Sequence, residues 1–406
     1  MMQMRLFDAA FAPVGDRCAR KDSIVVIDDA APVASTPGEQ VSLHSRAHGR
    51  VVAALSIARR LTLLVAVVAA AGLLSGCNGG GRGGGGSDRG EMSAAPGGRS
   101  TQMSAAEREA QRLEAKAFAE DATDALNEGD PERAEQAFTR ALQVNPELIE
   151  ARMGRGNLYR ERGDYARAQR DFDQAAQIDP RNYDAHYFNG LMLQLLNRIN
   201  EAIRAYRRAI TILPDSHEAN LNLAVAYLQA SRPSEALPFA ERAKTLLPDH
   251  GPTRANLGLT YAALTRHADA IDEYEAAVEM MEPSPELVLN LIESLKRERR
   301  FAEMANACEA LTRDTPSPAA YERLGFAYFK LQRYQESEDA YRSAINLDAD
   351  YYPAMNGVGV ILLNRWIDSA RTNRSARIEA LEWLRRSLRV EPEQPKITQL
   401  ITRYGS

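Results

Sequence analysis

Asn222, Asn256 and Asn290 stand 34 residues apart. A carboxamide donates through nitrogen and accepts through oxygen, so each can pair with the N–H and C=O of one peptide unit. Helices that carried them in register would lie ~8–10 Å apart. A bound extended chain rises ~3.3 Å per residue, so one rung would meet it about every third residue. That chemistry captures a polypeptide without reacting with it. Catalytic patterns are missing from the sequence. The six histidines, His44, His48, His186, His217, His250 and His267, form no HExxH or other metal pair. There is no Gly-x-Ser-x-Gly and no kinase or nucleotide signature. Neither an enzyme activity, a cofactor nor a metal is expected.

A second cluster is electrostatic. Arg365, Arg371, Arg374, Arg377, Arg385, Arg386 and Arg389 crowd the C-terminal end of a chain whose net charge is −5. Arg365, Arg371, Arg374 and Arg377 are the candidate basic contact patch, suited to an acidic partner, a sugar-phosphate polymer or anionic headgroups. Arginines that simply solvate a helix face are the other reading. Trp366 lies inside this stretch and, if exposed, favours a contact site. The acidic balance of the whole chain argues against a general nucleic-acid binder.

The elements that would hold these residues follow from a period. Ala134, Ala168, Ala202, Ala236 and Ala270 recur every 34 residues. Phe138, Phe172, Tyr206 and Tyr274 follow four residues later, then Ala141, Ala175, Ala209, Ala243 and Ala277. Pro146, Pro180, Pro214 and Pro248 close the units, because proline lacks an N–H and ends a helix. Fixed self-similarity at this length means a stack of like supersecondary units.

The unit resembles the tetratricopeptide repeat, a helical hairpin. Eight units start at Ala115, Ile149, Tyr183, His217, Gly251, Pro285, Pro318 and Tyr352, and the resemblance covers residues 115–392. It implies an all-α fold, a right-handed superhelical solenoid of about seventeen helices. Numbering from each unit's first residue, position 8 is small (Ala122, Gly156, Gly190, Ala224, Gly258, Gly325, Gly359) and position 20 is alanine, so paired helices can approach closely. Position 11 (Tyr159, Tyr227, Tyr261, Tyr328) and position 24 fill gaps between hairpins. Breakers mark the turns at Asn127–Asp130 and Arg162–Asp164. Unit 6 departs most, with Ile292, Met304, Cys308 and Leu311 at signature positions and one residue fewer; Cys308 reads as a buried core thiol. Unit 8 carries nine extra residues between its helices, within Arg365 to Arg377, and Trp383 reads as core. Residues Ala105 to Leu113 extend the first helix, and Gln394 to Tyr404 form a capping helix with Ile397, Leu400 and Ile401 on one face.

In this family the first helix of each unit lines a concave groove, and positions 2, 5, 6, 9 and 12 face it. The resemblance thereby assigns peptide binding to Asn222, Asn256 and Asn290 at position 6, together with Leu221, Val225, Leu228, Leu259, Phe188, Phe326 and Phe329; Leu191 falls on the same strip. The alternatives are ordinary asparagine usage at position 6 and, for the apolar residues, core between hairpins. A chaperone-type carboxylate clamp is a poor match, because only Arg323 fits it.

The N-terminal third reads as an address. Arg59-Arg60 precede fourteen uncharged residues, Leu61 to Leu74, and then Ser75-Gly76-Cys77. A basic start, a short apolar run and small residues make a secretory signal over 51–76. Leu74-Ser75-Gly76-Cys77 resembles the bacterial lipobox, which implies cleavage before Cys77 and acylation of its thiol and new N-terminus. Two or more acyl chains anchor a protein stably. Asn78 is similar to an outer-membrane sorting residue, and the surroundings of the arginine pair match twin-arginine export poorly. Residues 1–50 are a polar leader or a mis-assigned start. Residues 77–104 are a Gly-rich tether of about 28 Å root-mean-square reach at ~5–6 Å × √n; its glycines lack the Lys-Ser/Thr of a phosphate loop.

The expectation is a lipid-anchored interaction scaffold of the cell envelope. It faces the periplasm from the outer membrane and holds a protein or peptide in its groove. The alternatives are an accessory subunit of an envelope enzyme or export machine, as in pilus or secretin assembly, polysaccharide export or cell-wall enzyme control, and a soluble cytoplasmic adaptor.

Overall fold

A computed structural model describes residues 104–405. The signal segment, Cys77 and the Gly-rich tether lie outside the described residues. Within them the chain forms seventeen helices and no strand, an all-α solenoid of stacked helical hairpins. The first pair is α1 (Ala105–Asn127) and α2 (Pro131–Val144), followed by α3 (Ile149–Glu161) and α4 (Tyr165–Ile178). Next come α5 (Tyr183–Leu195) with α6 (Ile199–Ile212), and α7 (His217–Gln229) with α8 (Pro233–Leu246). Then come α9 (Gly251–Ala263) with α10 (His267–Met280), and α11 (Pro285–Arg297) with α12 (Phe301–Asp314). The array closes with α13 (Pro318–Lys330) and α14 (Tyr334–Leu347), α15 (Tyr352–Asp368) and α16 (Arg374–Val390), and the cap α17 (Pro395–Tyr404). No helix among the described residues is long and apolar enough to cross a membrane.

Each second helix packs on its own first helix and on the next one, while first helices also touch the next first helix. The hairpin turn is one device repeated. Position 15 is left-handed in units 1 to 7: Gly129, Gly163, Asn197, Ser231, Thr265, Arg299 and Gln332 all have φ between 58° and 78°. The N–H of position 16 then reaches back to the carbonyl of position 11, as in Arg198 to Leu193 (2.8 Å) and Arg266 to Tyr261 (2.9 Å). This six-residue closure is a Schellman-type stop, and glycine is the residue with least strain in it.

The 34-residue spacing has a physical cause in the joints. A methyl group at Gly156, Gly190 or Gly258 would lie 2.7–2.8 Å from the ring of Phe172, Tyr206 or Tyr274, the position-24 residue of the same unit. Position 8 is therefore small to seat that ring, more than to let backbones touch. The rings of Phe172, Tyr206, Tyr274 and Tyr341 are 0–1% exposed. The same rings meet the next unit at position 6: Gly357 faces Tyr341, Gly154 faces Phe138, and Phe188 stacks on Phe172 at 5.3 Å.

Two irregular units differ from the regular pattern in informative ways. In unit 6 both helices keep their lengths of 13 and 14 residues, and the missing residue comes out of the linker at 315–317. Cys308 is buried there, and burial pushes its thiol up to about 12. In unit 8 the inserted residues do not make a loop. They lengthen α15 and α16 to 17 residues each, leaving only the turn at 369–373. Trp366, Ile367 and Ala376 along the insert continue the apolar pattern, so burial of Trp366 holds the extra turn. The cap α17 buries Ile397, Leu400 and Tyr404, while Ile401 is half-buried beside them.

Candidate functional site

The joints between hairpins carry most of the ordered polar chemistry. Position 11 places a tyrosine between consecutive second helices. Its hydroxyl donates to a glutamate of the preceding unit: Tyr159 to Glu135 (3.0 Å), Tyr261 to Glu241 (3.1 Å) and Tyr328 to Glu309 (2.7 Å). The turn closure brings position 16 over that ring, and the guanidinium centres of Arg232, Arg266 and Arg333 sit 4.2–4.9 Å from Tyr227, Tyr261 and Tyr328. Each of these arginines is held by an acid three residues on, as in Arg232 to Glu235 and Arg266 to Asp269. Burial, and then the glutamate that accepts its proton, push the Tyr261 and Tyr328 phenols up to about 12.

Position 4 closes the preceding unit. Arg152, His186, Asn220 and Arg254 each hydrogen-bond the carbonyl of the proline six residues before them, Pro146, Pro180, Pro214 and Pro248. The proline ends one hairpin, and its orphaned carbonyl is satisfied by the next. His186 belongs to this structural set. Its Nε2–H donates, and burial lowers its pKa. Buried carboxylates form a third device. Asp171 takes a bidentate bond from Arg155 (2.8 Å each) and has Arg152 at 3.7 Å. Glu273 sits between Lys244 and Arg254, and Glu338 between Arg342 and Arg365. Among the described residues no group of three or more His, Cys, Asp and Glu could hold a metal.

The position-6 asparagines do not share one environment. Asn222 is buried and its Nδ2 donates to the Tyr187 hydroxyl of the preceding unit (3.0 Å). Asn256 is buried and its Nδ2 donates to the Pro252 carbonyl of its own helix (2.8 Å). Asn290 is half-buried. Position 6 borders the preceding unit, so it serves the joint as well as the face. Of the apolar candidates, Leu221 and Val225 form a buried cluster with Ala243, and Phe329 is buried against Tyr334. These three pack as core. Phe188, Leu228, Leu259 and Phe326 are half-buried, and Leu191 is buried. Lys296 and Lys330 lie 5.3–5.4 Å from the Phe326 ring.

The basic cluster is tied inward at three of its four members. Arg365 pairs with the buried Glu338. The Arg371 carbonyl accepts the Trp366 indole N–H (3.0 Å), and its guanidinium lies over that ring. Arg377 donates to the Tyr404 carbonyl (2.8 Å) and covers the same indole. Arg374 is exposed at the start of α16. Trp366 is 8% exposed and edge-on to Tyr404, so it is a packing residue that fastens α17 and is not a contact site. Trp383 is half-buried under Arg342 and Arg386.

Charge divides the row of first helices. α5, α7 and α9 carry one formal charge each, Asp184, Glu218 and Arg254, all within the first turn. Their flanking neighbours α3 and α11 carry several. A helix apolar all round buries more than one face.

Sequence models of one repeat family match six of the eight units. The sequence model of the tetratricopeptide repeat matches residues 120–183, 153–217 and 193–251, and further models of the same repeat match 252–281 and 318–351. Units 6 and 8 lie outside these matches. Similar solved structures include the MamA protein, 20% identical over 41% of this chain and 91% of that chain, with a TM-score of 0.39. Pseudomonas aeruginosa pilF is 20% identical over 50% of this chain and 94% of its own, with a TM-score of 0.43. A tetratricopeptide repeat protein from Parabacteroides merdae is 13% identical over 61% and 98%, with a TM-score of 0.43. No curated protein matched the chain.

Proposed function

We propose that this tetratricopeptide-repeat chain is a non-enzymatic adaptor of the bacterial cell envelope that holds a polypeptide partner along its first helices. One observation carries the reading: α5, α7 and α9 form three consecutive first helices with almost no charge, and Phe188, Leu228 and Leu259 on them are half-buried. Most of their side chains are buried within the array, and the half-buried apolar ones leave surface that a partner can cover. An extended, largely apolar segment fits it, with Asn290 and the remaining capacity of Asn222 and Asn256 available to backbone groups. The lipobox-like Leu74–Cys77 supports anchoring through an acylated Cys77. Asn78 supports the outer membrane, with the array in the periplasm. Anchoring concentrates the array where its partner is assembled.

Crosslinked capture from membranes tests both parts. Asn222, Asn256 and Asn290 changed together to Ala should reduce partner recovery several-fold while far-ultraviolet dichroism stays the same; undiminished recovery would reduce these residues to joint packing. Cys77→Ser should move the protein from the membrane fraction to the soluble one. Its retention on membranes would remove the anchor.

A further inference from the structure

The joint between units 2 and 3 lacks the residue that fills its neighbours. Leu193 occupies position 11, where Tyr159, Tyr227, Tyr261 and Tyr328 stand elsewhere. Ala205 occupies position 23, where units 2, 4 and 5 have Asp171, Phe239 and Glu273. A cleft of about 570 Å³ opens there between α4 and α6, with α5 as its floor. Its volume is in the range of small-ligand sites.

The rest of the tyrosine's surroundings is still in place. Arg198 at position 16 is fixed over the cleft by a bidentate bond to Glu201 (2.7–2.8 Å), just as Arg232 and Arg266 are fixed over their rings. Asp173, which lines the cleft, occupies the position from which Glu241 and Glu309 accept a phenol proton. Asp173 already accepts from Asn189 (3.1 Å) and Gln177 (2.7 Å), and a carboxylate with four lone-pair sites has room for one more donor. Unit 6 shows the contrasting solution. There Leu295 also replaces the tyrosine, but Arg300 closes directly on Glu275 (3.5 Å), and apolar Val288 and Leu291 stand where unit 3 has His186 and Asn189. In unit 3, Asp173 is turned to Asn189 and Gln177 and leaves the cleft open.

We propose that this cleft receives a tyrosine side chain of a partner polypeptide, its ring beneath Arg198 and its hydroxyl on Asp173. The site lies on the second-helix side, so it is separate from the surface of the proposed function. Residues 1–103 contain no tyrosine and so do not supply the occupant.

The probe is acetyl-Gly-Tyr-Gly-amide, with the phenylalanine and leucine versions beside it, titrated into the full chain and followed by saturation-transfer NMR. The tyrosine peptide should bind, and its phenylalanine version should bind about tenfold more weakly, the usual cost of losing a hydrogen bond to a charged acceptor. Leu193→Tyr should fill the cleft from within and abolish the signal. Asp173→Asn, a change at the cleft rim, should erase the preference for tyrosine over phenylalanine even if Leu193→Tyr folds poorly. Equal transfer to all three peptides, tyrosine and phenylalanine binding alike in the parent protein, or binding that survives Leu193→Tyr in a folded protein would each overturn the proposal.

Discussion

The joint at Tyr261 and the joint at Leu193 are built from the same chain geometry and end differently. Both have a left-handed residue at position 15, a six-residue closure and an arginine clamped by an acid three residues later. At Tyr261 a ring lies between Arg266 and Glu241, with its hydroxyl bonded and 9% of its surface exposed. At Leu193 the arginine and the acid are present without a ring between them. The difference teaches that the turn, and not the aromatic residue, sets the position of the arginine. A repeat can thus lose its filler and keep the shape of the site around the gap.

The largest expected effect comes from making the closed joint resemble the open one. Tyr261→Ala removes a buried ring, a cation–π contact and a hydrogen bond, and should cost about 3 kcal/mol in denaturant unfolding. A loss near zero would mean that the joint is held by its helices alone. Filling the open joint with Leu193→Tyr should do the reverse and add about 1 kcal/mol, the scale of a cation–π contact. Destabilisation by that change would show the cleft to be too small or wrongly shaped for a ring. The shared turn can be tested apart from the ring. Thr265 is β-branched at φ 61°, so Thr265→Gly should raise stability by about 1 kcal/mol, while Gly129 and Gly163 already occupy the same position without strain.

The smallest effect is a pH dependence. The Tyr261 phenol is pushed up to about 12 in the fold by burial and by its bond to Glu241, against about 10 in an unfolded chain. Below pH ~10 both states keep the proton, and the contribution is whole. As pH rises from ~10 towards 12 only the unfolded state releases it, so stability falls across that window. Tyr261→Phe should make the fall shallower. The Leu193 joint has no phenol and contributes nothing to it.

Much of this architecture was legible in the residues. The helix starts at Ile149, Tyr183, His217, Gly251, Pro285, Pro318 and Tyr352 coincide with a period written in alanine, aromatic and proline. The cap on Ile397 and Leu400 and the buried Cys308 follow from apolar spacing. The extra residues of unit 8 were harder to place. An arginine-rich stretch with one tryptophan can extend a helix or line a loop, and only the packing of Trp366 against Tyr404 decides for helix. The asparagine ladder shows the same limit. Identical residues at identical spacing point to identical roles, yet Asn222 reaches a neighbouring tyrosine and Asn256 its own backbone. The signal for the cleft was present as a missing tyrosine at position 11, but a missing ring is closed in unit 6 by Arg300 and left open in unit 3.

The sequence by itself determined the period, the helix pairs and the class of fold. Those depend on local rules: small residues where rings must seat, proline where a helix must stop, and apolar residues at helical spacing. Only the tertiary structure decided which side chains are consumed in joints and which face outward. That choice depends on what the preceding unit presents, and residues 34 apart in the chain meet only after the hairpins have stacked.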